Sequence, residues 1–302
     1  MDFAFTQSME DVARLARRIF DDHPRDSWRF LDEAGLLDVG LLEMCVLLEE
    51  QGRAGAEAPL AAALAARLAL GASARPVTAA LADEAPATLD GSFVTGVRNQ
   101  VHLADRVLVP AGATLVVVDP RGAGASLEPQ VVTTGETLFR LTLERAPVLE
   151  LAPVGPDWLR PRATVALCAL ELGVTERALA MTARYTATRQ QFERPIASFQ
   201  AVAQRAADAA IDVEAIRLTM WQAAWLLAED RDAAAAVALA KYTAADAGHR
   251  VVAAAQHLHG GIGFDASYPL GRCYLWSKHI ELLLGSAGAQ LAQLGAILAR
   301  ST

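Results

Sequence analysis

From Arg162 to the end of the chain, apolar residues recur at the 3.6-residue helical period almost without a break. Four long helices are expected, at about 162–189, 197–229, 233–258 and 270–300, and connections this short favour antiparallel neighbours. The C-terminal half is therefore read as a four-helix bundle. Composition agrees: 53% of the residues are hydrophobic but only 6% aromatic, with much alanine and leucine, which suits close helix crossing better than a β-sandwich.

The order of elements ahead of the bundle is also legible. Ser8 with Asp11 three residues on reads as a capping box, after which Val12, Leu15, Ala16, Ile19 and Phe20 mark one helical face. A short helix carrying Trp28, Phe30 and Leu31 stops at Gly35, and a third runs from about Leu41 to Gln51. Between Leu89 and Val148 the period changes to two, as in "TLFRLTLER", and a stretch of this length supplies about four to six strands. The expected organisation is a helical unit at 1–84, a small β unit at 85–152 and the bundle at 153–302, an α+β fold that is mainly α.

Charge excludes several function classes. At a net −8 the chain has no basic field to gather nucleic acid or anionic lipid. Asp11, Arg14, Arg17 and Arg18 break the N-terminal apolar run, which speaks against a signal peptide or a membrane span, so a cytoplasmic protein is expected. Cys45, Cys168 and Cys273 are far apart in apolar surroundings and read as buried thiols. His257 and His259 point to different helix faces, so no metal site is expected. His249 and His279 read as structural histidines, and Trp221, Trp225 and Trp276 as core packing.

Two bundle connections are unlike the rest. "RQQFERPIASFQ", residues 189–200, holds Pro195, which cannot sit inside a helix, so Arg189 ends one helix and Gln200 falls in the first turn of the next. "QHLHGGIGFDASYP", residues 256–269, packs Gly260, Gly261 and Gly263 into four positions, which lets backbone amides approach a ligand closely. It is not a P-loop, because no Lys-Ser or Lys-Thr follows, and no strand precedes it.

With these two motifs, and with "WRFLDEAGLL", "LLEEQGRA" and "LADRVLVPA", the chain resembles the acyl-CoA dehydrogenase family from about Met1 to Leu298. The resemblance implies FAD as cofactor and an acyl-CoA substrate. It further implies that Arg189, Phe192 and Gln200, together with Gln256, Gly260 and Gly261, reach across a subunit interface to the pyrophosphate and adenine half of FAD held by a neighbouring chain. Glu193 stands where the family has glycine.

The chain departs from that family where the chemistry lies. Removal of the α-proton of a thioester needs a desolvated carboxylate. The family's two positions for it fall on Leu284, in "ELLLGSAG", and on Ala163, in "RPRATVALCALELG", and neither side chain accepts a proton. Glu281, one turn before Leu284, and Glu171, two turns beyond Ala163, are the fallback candidates. The β unit is also about half the family's length and lacks the part that holds the chain's own flavin ring. The expectation is a non-catalytic chain of an α2β2 heterotetramer whose full-length homologous partner brings the base, acting on a bulky, steroid-derived CoA thioester. The alternatives are a self-sufficient homotetramer with a relocated base and a flavin-free structural homologue.

Overall fold

Thr6, not Ser8, opens the first helix: its hydroxyl accepts from the Met9 amide at 3.3 Å, while Ser8 donates instead to Glu43 at 3.1 Å. The computed structural model describes residues 5–24, 26–71, 76–82 and 87–300. Helices α1 (Gln7–Asp22), α2 (Ser27–Glu33), α3 (Leu41–Ala54) and α4 (Leu60–Leu70) form the N-terminal unit, with Val12, Ala16, Ile19 and Phe20 turned into its core.

Among the described residues eight strands follow, six of them in the stretch from about 89 to 148 where about four to six were expected. β1 (Val77–Ala79), β2 (Thr88–Asp90) and β8 (Glu150–Leu151) are too short to show a period of two. They join β3 (Phe93–His102), β4 (Arg106–Ala111), β5 (Thr114–Val118), β6 (Ala125–Gln130) and β7 (Leu138–Pro147) in two four-stranded sheets, ordered β1-β4-β5-β8 and β2-β3-β7-β6. β1 lies ahead of residue 85 and runs parallel to β4, with Thr78 opposite Val107. The expected 84/85 boundary falls outside the described residues.

The bundle begins with α5 (Pro156–Thr188), which carries Pro156 in its first turn, where the missing N–H costs nothing. It continues through α6 (Gln200–Ala228), α7 (Ala234–His259), α8 (Leu270–Leu282) and α9 (Ala287–Arg300). α3 crosses α5 at backbone contact: a Cβ on Gly173 would stand 2.0 Å from the Glu49 carbonyl oxygen, and one on Gly52 2.4 Å from that of Leu170. Beside this crossing Arg53 pairs with Glu49 at 2.6 Å and Glu176 at 2.5 Å, and Arg217 of α6 reaches Glu49 at 3.3 Å, tying three helices together.

The segment expected as one helix over 270–300 is broken in two. Leu284 (φ +59°) and Gly285 (φ +103°) both adopt left-handed backbone. Lys241, fully buried on α7, donates to the carbonyls of Ile280 at 2.8 Å and Glu281 at 3.1 Å, and so terminates α8. Gln290 then holds the Leu284 carbonyl at 2.8 Å. By length and composition Leu270–Arg300 would cross a bilayer as a single rod. The break divides it into helices of 13 and 14 residues, each below the roughly 20 that a span needs.

All three cysteines are free and buried, as expected. Burial pushes the Cys168 thiol up to about 12 and that of Cys273 up to about 11, so both are inert at neutral pH.

Candidate active site

α5 and α7 run the same way through the bundle, so the two unusual connections emerge at one end of it. Tyr185, one turn before Arg189, stacks on His259 at the end of α7, with ring centroids 4.6 Å apart, and Tyr268 closes the other side at 5.4 Å. The His259 Nδ1–H donates to the Ala255 carbonyl at 2.8 Å, and burial lowers the imidazole pKa, so Nε2 is an acceptor. That buried Nε2 has no partner among the described residues.

The first connection is a miniature hairpin. The Arg189 amide donates to the Tyr185 carbonyl at 2.8 Å and its carbonyl accepts from Ile196 at 2.8 Å. β9 (Gln190–Gln191) pairs antiparallel with β10 (Arg194–Pro195), leaving Phe192 and Glu193 as a two-residue turn with φ of +53° and +65°. Positive φ at both positions is the type I′ turn that matches strand twist. Glu193 therefore keeps the conformation that favours glycine, without being one. Phe192 is 85% exposed at the tip, edge-on to Phe199 at 6.1 Å, and the Arg194 guanidinium lies 4.2 Å over the Phe199 ring. Arg189 and Gln200 are exposed, and among the described residues no carboxylate pairs with the Arg189 guanidinium.

The second connection turns at Gly260 (φ +62°) into a short 3₁₀ turn, Gly260–Phe264. A Cβ on Gly261 would meet nothing within 4 Å, so packing inside this chain does not require glycine there. Gln256 lies behind the turn with its buried Oε1 unpartnered among the described residues. Gln256, Gly260, Phe264, Tyr274 and Leu275 line an open groove of about 690 Å³. An unpaired guanidinium, bare glycine backbone and orphaned polar atoms at one end of a bundle fit the pyrophosphate and polar edges of a dinucleotide.

The two positions at which the resemblance leads one to expect a base, Ala163 and Leu284, are brought together. Ala163 on α5 and Leu284 at the α8–α9 break line one cavity of about 230 Å³, with Leu159, Pro110, Arg98 and Arg160, and no carboxylate among the described lining residues. Glu171 lies elsewhere, fully inside the bundle, where its carboxylate accepts from the Ser277 hydroxyl at 2.6 Å. Burial raises its pKa to about 8, against the opposing pull of Ser277 and Lys241. Gly248 makes room for it, since a Cβ there would stand 2.2 Å from the carboxylate. Glu281 turns away to Lys278 at 2.5 Å and His249 at 3.7 Å. Sequence reasoning missed Lys241, although a lysine within an alanine-rich helical face was the signal to follow.

This arrangement is that of a flavin-dependent dehydrogenase bundle, and comparison with known proteins agrees. The family model for the acyl-CoA dehydrogenase C-terminal domain matches residues 162–299. The chain is 36% identical to acyl-CoA dehydrogenase FadE27 of Mycobacterium tuberculosis, with 100% of both chains covered. The protein belongs to the acyl-CoA dehydrogenase family, FAD-dependent oxidoreductases. Among solved structures, the ChsE4-ChsE5 complex from M. tuberculosis superposes with a TM-score of 0.92 at 35% identity over 100% of both chains. A variant of the Tcur3481-Tcur3483 steroid acyl-CoA dehydrogenase gives 0.91 at 35% identity over 98% of both chains.

Proposed function

We propose that this chain is the base-less, FAD-clasping subunit of a cytoplasmic α2β2 acyl-CoA dehydrogenase, in which a full-length homologous chain supplies the proton acceptor and the flavin-ring pocket. The observation that carries this reading is the cavity in which Ala163 and Leu284 meet without a carboxylate, set against two intact hairpins. In its working state FAD supplies the hydride acceptor. The residues of this chain hold it: Arg189 neutralises pyrophosphate charge, the Gly260–Gly261 backbone approaches closely, and Phe192, Gln200 and Gln256 contact the adenine half.

Other observations support a division of labour. The alignment with FadE27 runs over 371 positions where this chain has 302 residues, so this chain lacks segments that the relative possesses. Two related structures are two-chain assemblies, one described as a steroid acyl-CoA dehydrogenase, which is the ground for a steroid-derived CoA thioester as substrate. Ile211 and Leu218 on α6, Leu282 at the end of α8, and Leu291 and Leu298 on α9 are exposed apolar side chains of the kind an obligate partner covers. Within the proposal the chain keeps the three units expected at 1–84, 85–152 and 153–302, except that Val77–Ala79 belongs to the β unit because it pairs with β4.

The test is turnover of the assembled complex carrying Glu171→Gln or Glu281→Gln in this chain. Both variants are expected to stay within about twofold of the parent, the range of residues outside the chemical step. A fall of two or more orders of magnitude at either residue, with assembly intact, would assign the base to this chain.

A further inference from the structure

Of the 27 basic residues in the chain, Lys241 and Lys278 are lysine and all the others are arginine. Lys241 is fully buried and bonded to the carbonyls that end α8. Lys278, on α8, is the accessible lysine, with 32% of its side chain exposed. Its ammonium can only donate, and it donates to His249 Nδ1 at 2.7 Å and to the Glu281 carboxylate at 2.5 Å. His249, on α7, is itself 46% exposed. The contact fixes the imidazole tautomer: Nδ1 accepts, so Nε2 carries the hydrogen.

An ion pair alone does not call for lysine. The adjacent pair on α7 is made by arginine, Arg250 with Asp212 at 2.6 Å, and a guanidinium forks onto a carboxylate without ever losing its proton. An ammonium adds one capacity: beside a base, it becomes an amine nucleophile. Here the base is in place. Transfer of one proton from Nζ to Nδ1 leaves a free amine and an imidazolium 3.7 Å from Glu281, whose charge stabilises it. Glu281 equally favours the ammonium it pairs with, so the carboxylate serves whichever of the two groups holds the proton.

Access to this pair is open. His249 forms part of the wall of a groove of about 660 Å³ between α6 and α7, which Arg205, Asp208, Arg250 and His257 also line. Nζ of Lys278 is thus within hydrogen-bond distance of a ring that faces the groove. The family to which the chain belongs handles acyl-CoA thioesters. A thioester carbonyl is what an activated amine attacks.

We propose that Lys278 is a self-acylation site, which takes the acyl group of an acyl-CoA with His249 as general base. Nζ gives one proton to His249 Nδ1 and attacks the thioester carbonyl carbon. The N–C bond forms, the C–S bond breaks, and the CoA thiolate leaves with the second proton shed by the attacking nitrogen, while the imidazolium returns the first to solvent. Nothing is oxidised or reduced. The amide carries no charge, so acylation leaves Glu281, one turn before Leu284, with His249 as its remaining side-chain partner among the described residues. The site depends on the acyl-CoA chemistry of the family and not on which subunit carries the catalytic base.

The probe is acetyl-CoA, which has no β-carbon and so cannot be dehydrogenated. It is incubated with the assembled protein alongside Nα-acetyl-lysine amide as a free-amine reference, and peptide mass spectrometry follows acetylation with time. Lys278 is expected to react at least about tenfold faster than the reference amine, and His249→Ala to bring it down to the reference rate, since a positioned general base contributes about 10²–10⁴-fold. Should His249→Ala fail to fold, the comparison within the parent decides the matter. An unmodified Lys278, a rate no higher than that of the free amine, or a folded His249→Ala variant that reacts as fast as the parent would overturn the proposal.

Discussion

Ala163, midway along the chain on α5, and Leu284, at the α8–α9 break, line the same cavity. Under the proposed function these two positions are where a proton acceptor is expected, and both are aliphatic. Volume-conserving changes that keep this lining neutral, Ala163→Ser and Leu284→Met, are expected to leave kcat of the assembled enzyme within about twofold. Steady-state assay of the complex checks this, and a hundredfold loss at either position would place the chemical step in this cavity.

Arg189 projects from the hairpin with no carboxylate partner among the described residues, so its removal has little to disturb inside the chain. Arg189→Ala is expected to leave the melting temperature of the apoprotein nearly unchanged while weakening FAD binding by about 1.5–3 kcal/mol, the worth of a charged hydrogen bond. Arg189→Lys should recover part of the loss, because a point charge replaces a bidentate fork. Flavin content after dialysis of the complex reads both effects.

Glu193 sits at φ +65° in the type I′ turn, a conformation that costs a non-glycine residue about 1–2 kcal/mol. Glu193→Gly is therefore expected to stabilise the protein by about 1 kcal/mol after the entropy of the added glycine is set against the relieved strain. Denaturant unfolding of parent and variant measures it.

Glu171 gives a pH signature. Its pKa is raised by burial to about 8, so the folded state favours the neutral form. The stability this contributes is fully present below the ordinary carboxylate value, declines as pH rises above it, and is gone beyond about pH 8. Relative to Glu171→Gln, the parent is expected to lose stability between pH 5 and 8, by a few kcal/mol, and then to level off. Unfolding curves across that range supply the test, and parallel pH profiles would contradict it.

The bundle and its two connections were legible because each is written locally: a helical period, a proline between helices and a glycine run. What was hidden depends on residues far apart. The parallel pairing of β1 with β4 leaves no local period in a three-residue strand. The break after α8 falls in a leucine run that favours helix on propensity alone, and it is imposed by Lys241 from α7. The contact of Lys278 with His249 joins residues 29 positions apart on two helices, so no spacing rule exposes it. Ser8 offered a capping box that Thr6 preempted.

The measurement closest to the central claim is a native mass spectrum of the protein purified from its own host, since it reports partner and flavin together. The account predicts a heterotetramer with two copies of this chain, two of a longer homologue and two FAD. A homotetramer with four FAD would contradict it, and would mean that a base resides in this chain after all.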